Sequence, residues 1–517
     1  MTSKSEITLE MWILLCAVGI LIFLMNVDYT AVSLTLLPIS KEIGEDLNNL
    51  QWMLSGYTLV WASFVIPAGR FADIYGKKTA LLLGLIIFAL SSAMISASSQ
   101  IEYLIAGRVA QGIGAAIFTA PCWAVIFSSA PPEKQGFVMG IVLTFSGIGL
   151  STGPTLGGFL IQNFNWRWIF YVNIPISIFV GLVFLWVVKS EPKRSDATKI
   201  DILGTILLSS GLCLSVYALN QIEVWGAGIK LFGTLAAGIV VVGIFFIYDS
   251  QKKEKMIPNS LLKNRAFMSC SVACFFVAMV FSLVLVLVGI YLQKIMSYSS
   301  YHAGLIFFAM TISMGLLSPF GGQIVDKLGV RVPLIVATFM IAIGTGLMSL
   351  LDTKSSIYMI CASLFFAGTG IGVFFTAGNI AMMRSVPAQD LNIASGVYTT
   401  WMMLGNTISI ILYSSLLVLF ARLKLITSFS INNDVSEETK NIILINLGKL
   451  GEPLSSIPGV TDKLILEITN ALADSFALNM LIGTISAIGV YFIIRNSVKV
   501  LDKKNDPKDQ SAYHISL

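Results

Sequence analysis

Fourteen long apolar runs divide the 517-residue chain and restrict its fold more than any other feature. Each has about the 20 residues that a helix needs to cross a hydrocarbon core of about 30 Å. With 12% charged residues, against about a quarter in soluble domains, the chain cannot present a wettable surface. We therefore expect an all-α integral membrane protein with helices near positions 12–37, 49–69, 79–98, 103–127, 136–162, 168–188, 202–220, 229–248, 266–292, 302–325, 332–351, 357–383, 392–420 and 475–495.

An even number of crossings puts both termini on one side of the membrane. Loops on that side carry roughly twice as many lysines and arginines as the opposite loops, so the positive-inside rule predicts cytoplasmic termini. The first run is too long for the core of a signal peptide and is expected to remain as helix one. These features predict a multi-pass protein of the cytoplasmic (inner) membrane.

A ten-residue motif occurs twice. Gly69-Arg-Phe-Ala-Asp-Ile-Tyr-Gly-Lys-Lys78 recurs as Gly322-Gln-Ile-Val-Asp-Lys-Leu-Gly-Val-Arg331, with the glycines, the aspartate and the final basic residue at the same spacing. Parallel repeats of this kind are typical of one large class of secondary transporters. We predict two six-helix halves, 1–190 and 266–517, with a two-helix insert at 191–265. The external segment 421–474, inside the second half, is predicted to form two short amphipathic helices that cap the outer face.

Two ionisable residues lie well inside predicted spans, Asp28 in helix one and Arg108 in helix four. Both fall in the outer half of the membrane, so they can share a depth. Ionisable residues are expensive there and are functional candidates by default. Asp28 is interpreted as a proton carrier; the alternative is a structural aspartate neutralised by Arg108 or by Asn26 and Tyr29.

Helix five contains a glycine constellation. Gly149, Gly153 and Gly157 share one helix face because they are spaced by four residues, which permits close helix approach in a membrane. Pro154 removes a backbone hydrogen bond and can kink the helix. Gly158 follows directly after Gly157. We interpret this set as a packed but bendable interface.

Five motifs in order resemble the fourteen-helix drug:proton antiporter branch of the major facilitator superfamily (EmrB/QacA type). They are Asp28-Tyr-Thr-Ala-Val32 with Pro38, the 69–78 motif, Arg108-Val-Ala-Gln-Gly-Ile-Gly114, Gly149-Leu-Ser-Thr-Gly-Pro-Thr-Leu-Gly-Gly158, and Trp166-Arg-Trp-Ile-Phe-Tyr-Val-Asn-Ile-Pro175. The resemblance implies the major facilitator fold and proton coupling by Asp28, modulated by Arg108.

The resemblance also implies a cytoplasmic gate in the 69–78 motif. Asp73 would bind near the start of helix thirteen, around positions 390–393, where a helix N-terminus stabilises a carboxylate. Gln323 replaces Arg70 in the second copy, so the second latch is expected to be weaker. Membrane anchoring by positive charge explains most of the presence of Lys77 and Lys78. The predicted gate residues are Gly69, Arg70, Asp73, Gly76, Lys77 and Lys78.

A substrate cavity is predicted from polar and aromatic residues within or beside the spans; many of these residues would serve equally as interface anchors or in helix packing. They are Asn26, Trp61, Gln111, Trp123, Gln293, Asn379, Trp401 and Asn406. Helices nine to fourteen have no acidic residue at mid-membrane, so we expect a monovalent, neutral or anionic amphiphilic substrate.

These observations predict proton-coupled export of small amphiphilic molecules, a multidrug efflux activity, by alternating access. Proton-coupled or facilitated uptake is the alternative, and a non-transporting sensor stays open. A membrane enzyme is disfavoured because the sequence has two histidines, no GxxxxGK[ST] loop and no clustered metal ligands. We expect the partners to be protons, a small-molecule substrate and the lipid bilayer. We expect no cofactor, no metal and no nucleic acid. Whether an accessory export protein binds is left open.

Overall fold

The computed structural model describes residues 7–45, 47–190, 201–221, 225–226, 228–252, 254–431, 440, 443 and 462–497. Its architecture consists of fourteen long helices. They are α1 (Leu9–Ala31), α2 (Trp52–Tyr75), α3 (Lys77–Ala97), α4 (Ile101–Ser129), α5 (Gln135–Asn163), α6 (Asn173–Val187), α7 (Ile202–Asn220), α8 (Ile229–Ser250), α9 (Arg265–Ile290), α10 (Ser300–Leu328), α11 (Arg331–Met348), α12 (Ile357–Arg384), α13 (Leu391–Ile431) and α14 (Asp462–Ser497).

Thirteen of these helices are long and apolar enough to cross a membrane by composition alone. The fourteenth, α2, has 24 residues but includes Ser55, Thr58, Ser63, Arg70 and Asp73. These polar groups lower its hydropathy, and α2 tolerates them because it packs against α4, α7 and α13. The structure therefore confirms the predicted all-α membrane architecture.

Several helices extend beyond their predicted ends on one face of the bundle. After α1 the chain continues through a 3₁₀ turn, Val32–Thr35, and a helix, Leu36–Ile43, which stops at Gly44 with φ of +76°. Helix α13 reaches Ile431, and α14 begins at Asp462. The prediction of a separate second amphipathic helix is therefore wrong, because residues 462–474 form the first turns of α14. The intervening part of the predicted cap lies outside the described residues.

We call the face where α1 begins the inner face and the opposite one the outer face. Trp12, at the start of α1, lines a cavity of about 660 Å³ together with Lys134 before α5 and Asp326 near the end of α10. The second repeated loop therefore lies at the inner face, the side predicted to be cytoplasmic. The first repeated loop, between α2 and α3, lies at the same face because α2 is the second crossing and returns to the side where α1 begins.

Helix contacts repeat with an offset of eight helices. The pairs α1/α5, α2/α4, α3/α4 and α3/α6 recur as α9/α13, α10/α12, α11/α12 and α11/α14. Contacts between α1–α6 and α9–α14 run mainly through the pairs α5/α10 and α2/α13, which are equivalent under the same offset. This pattern is what two similar six-helix units with an intervening pair of helices would produce.

The intervening helices α7 and α8 pack on each other, and α7 also contacts both α2 and α13. Tyr217 of α7 stacks on Trp52 of α2, with ring centroids 5.5 Å apart. At the inner end, Asp201 caps α7 and pairs with Lys252 at 2.7 Å. Burial raises the pKa of the Asp201 carboxyl group. Hydrogen bonds from Lys252 and the Gly204 N–H outweigh this effect, so the pKa lies below its usual value. Helix α7 thus lies along the α2/α13 seam.

Backbones from the two sides of the α5/α10 seam touch directly at the inner face. A Cβ atom placed on Gly322 would overlap the carbonyl oxygen of Gly136. One turn along α5, a Cβ on Gly140 would lie 2.5 Å from the Cα of Pro319. Because the obstacle in each case is backbone, no side-chain rotation relieves it. These glycines permit the inner closure seen here.

We predict that Gly322→Ala destabilises the inner closure, since the added methyl group must push α10 away from α5. Overpacking of this kind costs about 1–3 kcal/mol. Thermal unfolding of the purified protein is expected to show a lower midpoint. Gly304→Ala in the same helix is the matched control, because nothing lies within 4 Å of its added Cβ. Equal midpoints for the two variants would contradict the proposed tight contact.

Candidate functional site

Asp28 lies in the outer half of α1, and its side chain is enclosed, with 1% of the residue exposed. Arg108 Nη1 donates to Asp28 Oδ2 at 2.6 Å. The other oxygen, Oδ1, accepts from Asn173 Nδ2 at 3.0 Å and from Gln111 Nε2 at 3.4 Å. The carboxylate thus receives hydrogen bonds on both oxygens, from α4 and α6.

Arg108 is fully buried and is held by more than its ion pair. Its Nε donates to the Met53 carbonyl at 2.8 Å, and its Nη1 donates to Gln111 Oε1 at 2.5 Å. The guanidinium carbon lies 4.3 Å from the centre of the Tyr57 ring. Removing two charges from water is expensive, and a buried pair is tolerated when further hydrogen bonds satisfy its remaining groups. We call Asp28, Arg108, Gln111, Asn173 and Ser92 the buried ionic cluster.

The structure brings Asp28 and Arg108 together, as their predicted depth allows. Arg108 is the neutralising group, whereas Asn26 donates to the Ile22 carbonyl and to Ser146 Oγ, and Tyr29 is 38% exposed. The alternative in which Asn26 and Tyr29 neutralise Asp28 is therefore wrong in this conformation.

Sequence reasoning missed two members of the cluster. Asn173 belongs to the last of the five motifs but was given no role, and it is the first residue of α6. Ser92 of α3 accepts from Gln111 Nε2 at 2.9 Å and from Asn173 Nδ2 at 3.4 Å. A serine in an apolar run carries no distinguishing signal, whereas the position of Asn173 inside a motif is one.

The residues predicted to line a substrate cavity separate into different environments. Gln111 belongs to the buried ionic cluster, and Asn26 lies at the α1/α5 contact. Asn406 accepts from Ser282 at 2.9 Å, and Trp401 packs edge-on against Phe275, both across the α9/α13 contact. Of the remaining residues, Trp61 and Asn379 are buried, Trp123 is half-buried, and Gln293 is exposed in the π-helical turn Tyr291–Ile295 that follows α9. Their common cavity stays a prediction.

The predicted gate residues lie at the inner end of α2 and the start of α3. Asp73 Oδ1 accepts from Asn392 Nδ2 at 2.6 Å, at the start of α13. The partner is a side-chain amide, where a helix N-terminus was expected. A Cβ on Gly69 would lie 2.6 Å from the Asn392 carbonyl oxygen, so glycine permits this approach.

The rest of the motif shapes the turn and its anchors. Gly76 has φ of +90°, a conformation that favours glycine, between α2 and α3. Arg70 lies 3.8 Å from Glu254 in the segment after α8. Lys77 Nζ lies 3.5 Å from Ser128 Oγ, and Lys78 Nζ donates to the Leu185 carbonyl at 2.7 Å. The two lysines therefore also bind other helices of the bundle.

Asp326, the counterpart of Asp73, makes the contact that was expected of Asp73. Its carboxylate accepts from the Gly136 and Phe137 N–H groups at 2.9 and 3.0 Å, at the start of α5. Arg384 Nη2 donates to the same carboxylate at 3.2 Å and also to the Pro132 carbonyl. Gln323 does not leave the second latch without a cation, since Arg384 of α12 supplies one to Asp326.

The glycine face of α5, formed by Gly149, Gly153 and Gly157, packs against α1. Cβ atoms on Gly149 and Gly157 would lie 2.6 Å from the Phe23 carbonyl and 2.8 Å from the Ala31 Cβ, and one on Gly153 would overlap Thr30. All three meet α1. Pro154 is exposed within α5, and Gly158 has open space beside it. The close helix approach expected of these glycines is therefore to α1, whereas Gly136 and Gly140 of the same helix meet α10.

Comparison with known proteins agrees with this architecture. The model of the Major Facilitator Superfamily matches residues 16–410. The chain superposes on the human organic anion transporter MFSD10 with a TM-score of 0.56 and 12% identity, covering 94% of this chain and 100% of the other. It superposes on a bacterial homologue of the human lysosomal transporter Spinster with a TM-score of 0.57 and 17% identity, covering 95% and 98%.

Three sequence relatives are less than 30% identical to the chain, and each aligns over about three quarters of it. Multidrug resistance protein Stp of Mycobacterium tuberculosis is 27% identical, over 78% of this chain and 75% of that protein. Multidrug transporter protein MdtP of Bacillus subtilis is 26% identical, over 77% and 74%. Riboflavin transporter RibZ of Clostridioides difficile is 28% identical, over 74% and 82%. The chain therefore belongs to the major facilitator superfamily, and this likeness groups it with the drug-efflux branch.

Proposed function

We propose that this transporter exports small amphiphilic molecules across the cytoplasmic membrane in exchange for protons, by alternating access. The observation that carries the proposal is the buried ionic cluster, a carboxylate inside a membrane helix bundle with Arg108 as its counter-ion. Ionisable groups at such depth mark proton relays in pumps and transporters. The multidrug transporters among its relatives support export of drug-like molecules.

Coupling is proposed to run through α2. Because Asp28 is enclosed, substrate does not compete for its carboxylate directly in this conformation. A proton on Asp28 would leave the Arg108 charge uncompensated, and Arg108 binds the Met53 carbonyl and lies on Tyr57, both on α2. The same helix carries Gly69 and Asp73 at its inner end. Proton binding would thereby bias the inner gate.

Substrate and proton would then favour different conformations of the same bundle. A ligand shifts such an equilibrium by its differential affinity for the two states. In this structure both inner latches are formed, which corresponds to a gate closed at the inner face. We propose that a proton reaching Asp28 from the outer side in this state favours opening of the inner face, where the proton is released and the next substrate binds.

We predict that Asp28→Asn abolishes pH-driven efflux while leaving downhill exchange of substrate. The amide cannot ionise, so the gradient loses its coupling, and uphill flux should fall at least about tenfold. Ethidium flux in proteoliposomes with an imposed pH gradient measures both modes. Asp474→Asn, at a half-exposed outer site, is the control. Unaltered gradient-driven flux in Asp28→Asn would refute the coupling role.

Proton-coupled or facilitated uptake is a second candidate, favoured by the likeness to a riboflavin transporter. The two differ in direction relative to the proton gradient. In inside-out vesicles, an acidified interior is expected to drive ethidium inward if the protein is an antiporter. Movement of ethidium out of the vesicles together with protons would favour proton-coupled uptake, and equilibration that ignores the gradient would favour facilitated uptake.

We predict that the transporter prefers monovalent to divalent cations, because the described parts of α9–α14 place no acidic side chain at mid-membrane to pair a second charge. Ethidium and propidium share a chromophore and differ by one charge, so they form a matched pair. Propidium flux should be lower than ethidium flux by about tenfold or more, since burying an unpaired charge is costly. Propidium as the better substrate would defeat this selectivity.

We predict that Asp326→Asn impairs transport more than Asp73→Asn does. Asp326 is 6% exposed as a side chain and binds two backbone N–H groups and Arg384. Hydrogen bonds to a charged group contribute about 1.5–3 kcal/mol, and an amide cannot replace them all. Ethidium flux and thermal unfolding of both variants measure the effect. A larger loss in Asp73→Asn would reverse the ranking of the two latches.

A further inference from the structure

We propose that Asn173 is a positioning residue that sets the proton affinity of Asp28 and switches its amide when the proton binds. This inference rests on the proposed function, in which Asp28 exchanges protons. It starts from two hydrogen bonds of Asn173 Nδ2, to Asp28 Oδ1 at 3.0 Å and to Ser92 Oγ at 3.4 Å.

Four groups form a closed ring of hydrogen bonds. Gln111 Nε2 donates to the same two oxygens, Asp28 Oδ1 at 3.4 Å and Ser92 Oγ at 2.9 Å. Ser92 donates its own proton to the Phe88 carbonyl at 2.7 Å, so its oxygen is free to accept from both amides. Both amides must therefore present nitrogen to Asp28, because a reversed amide would set oxygen against two acceptors.

Proton binding changes which orientation is favourable. In the ionised form Asp28 is surrounded by donors, namely two amides at Oδ1 and Arg108 at Oδ2. A protonated carboxyl group needs an acceptor for its own O–H. Gln111 cannot reverse without losing the bond from Arg108 Nη1 to Oε1 at 2.5 Å. Asn173 can rotate its carbonyl oxygen toward the new O–H, and Ser92 can then donate to that oxygen.

The segment 166–173 keeps Asn173 over the cluster from the outer side. Trp166 Nε1 donates to Glu42 Oε2 at 2.8 Å, and Arg167 Nη1 pairs with Glu42 Oε1 at 2.7 Å. Phe170 is fully buried, and its ring centre lies 5.9 Å from the Arg108 guanidinium carbon. The segment is thereby fixed to the outer extension of α1, the helix that carries Asp28.

Few other groups bear on the charge of Asp28. Arg108 from α4 and Tyr57 from α2 are the charged and titratable side chains that face it, with Tyr29 adjacent on α1. Helices α3 and α6 contribute the uncharged Ser92 and Asn173, and α5 meets α1 with the glycine face described above. Substitution of Asn173 therefore changes the hydrogen bonding of Asp28 without removing a charge.

The test is an infrared titration of the purified protein, following the carboxyl C=O band that is lost in Asp28→Asn. Asn173→Leu removes a donor to the carboxylate, so the acid form persists to higher pH. We expect its protonation midpoint to rise by about one pH unit. Asn173→Asp, nearly identical in shape, adds a neighbouring carboxylate and should raise the midpoint further, because two like charges disfavour joint ionisation.

Asn479→Leu in α14 is the matched control for losing a buried amide, since Asn479 Nδ2 donates to the Ser475 carbonyl of its own helix. Its midpoint should equal that of the unsubstituted protein. Unshifted midpoints in both Asn173 variants would overturn this inference while leaving Asp28 as the proton carrier. Absence of any titrating band assignable to Asp28 would instead overturn the proposed function. If Asn173→Leu does not fold, the near-isosteric Asn173→Asp decides alone.

Discussion

The ion pair between Asp28 and Arg108 is the constraint on which the arrangement of α1–α6 depends. Neither charge can be buried alone, so the helices must converge at one point with complementary donors and acceptors. Helix α4 supplies Arg108 and Gln111 one turn apart, α6 supplies Asn173 at its first residue, and α2 supplies the Met53 carbonyl. The donor set lies within α1–α6, which separates the buried ionic cluster from the contacts between α1–α6 and α9–α14.

Helix α2 connects the buried ionic cluster to the residues predicted to form the inner gate. It is the one of the fourteen long helices that is not apolar enough by composition to cross a membrane, and it makes polar contacts near both ends. Near its outer end the Met53 carbonyl accepts from Arg108, and near its inner end Asp73 accepts from Asn392. A rigid helix that contacts the buried ionic cluster at one end and Asn392 at the other can transmit a small displacement, since packed interfaces do not deform continuously.

The fold and much of the site follow from patterns that a chain shows directly. Apolar length predicts the helices, and the shared depth of Asp28 and Arg108 predicts that they can meet. What composition cannot show is the rotation of each helix. Gly136 and Gly140 face α10, whereas Gly149, Gly153 and Gly157 face α1, because the two sets differ in angular position around the same helix. The role of Arg384 is equally hidden, since a basic residue at a helix end usually signals membrane anchoring.

The two inner latches also show why sequence symmetry does not ensure structural symmetry. Both aspartates occupy the same motif position, but Asp73 meets the side-chain amide of Asn392 and Asp326 meets the N–H groups of α5. Arg70, the residue without a counterpart in the second motif, lies near Glu254, just beyond α8.

The inserted pair of helices, α7 and α8, thus contacts the first latch through Glu254 and the α2/α13 seam through α7. Since the insert occurs once in the chain, the equivalent α5/α10 seam lacks this cover, and backbone contact between glycines with a carboxylate cap holds it instead. The asymmetry of the latches therefore has a physical origin, because one seam is stabilised by an added helix and the other by its own backbone.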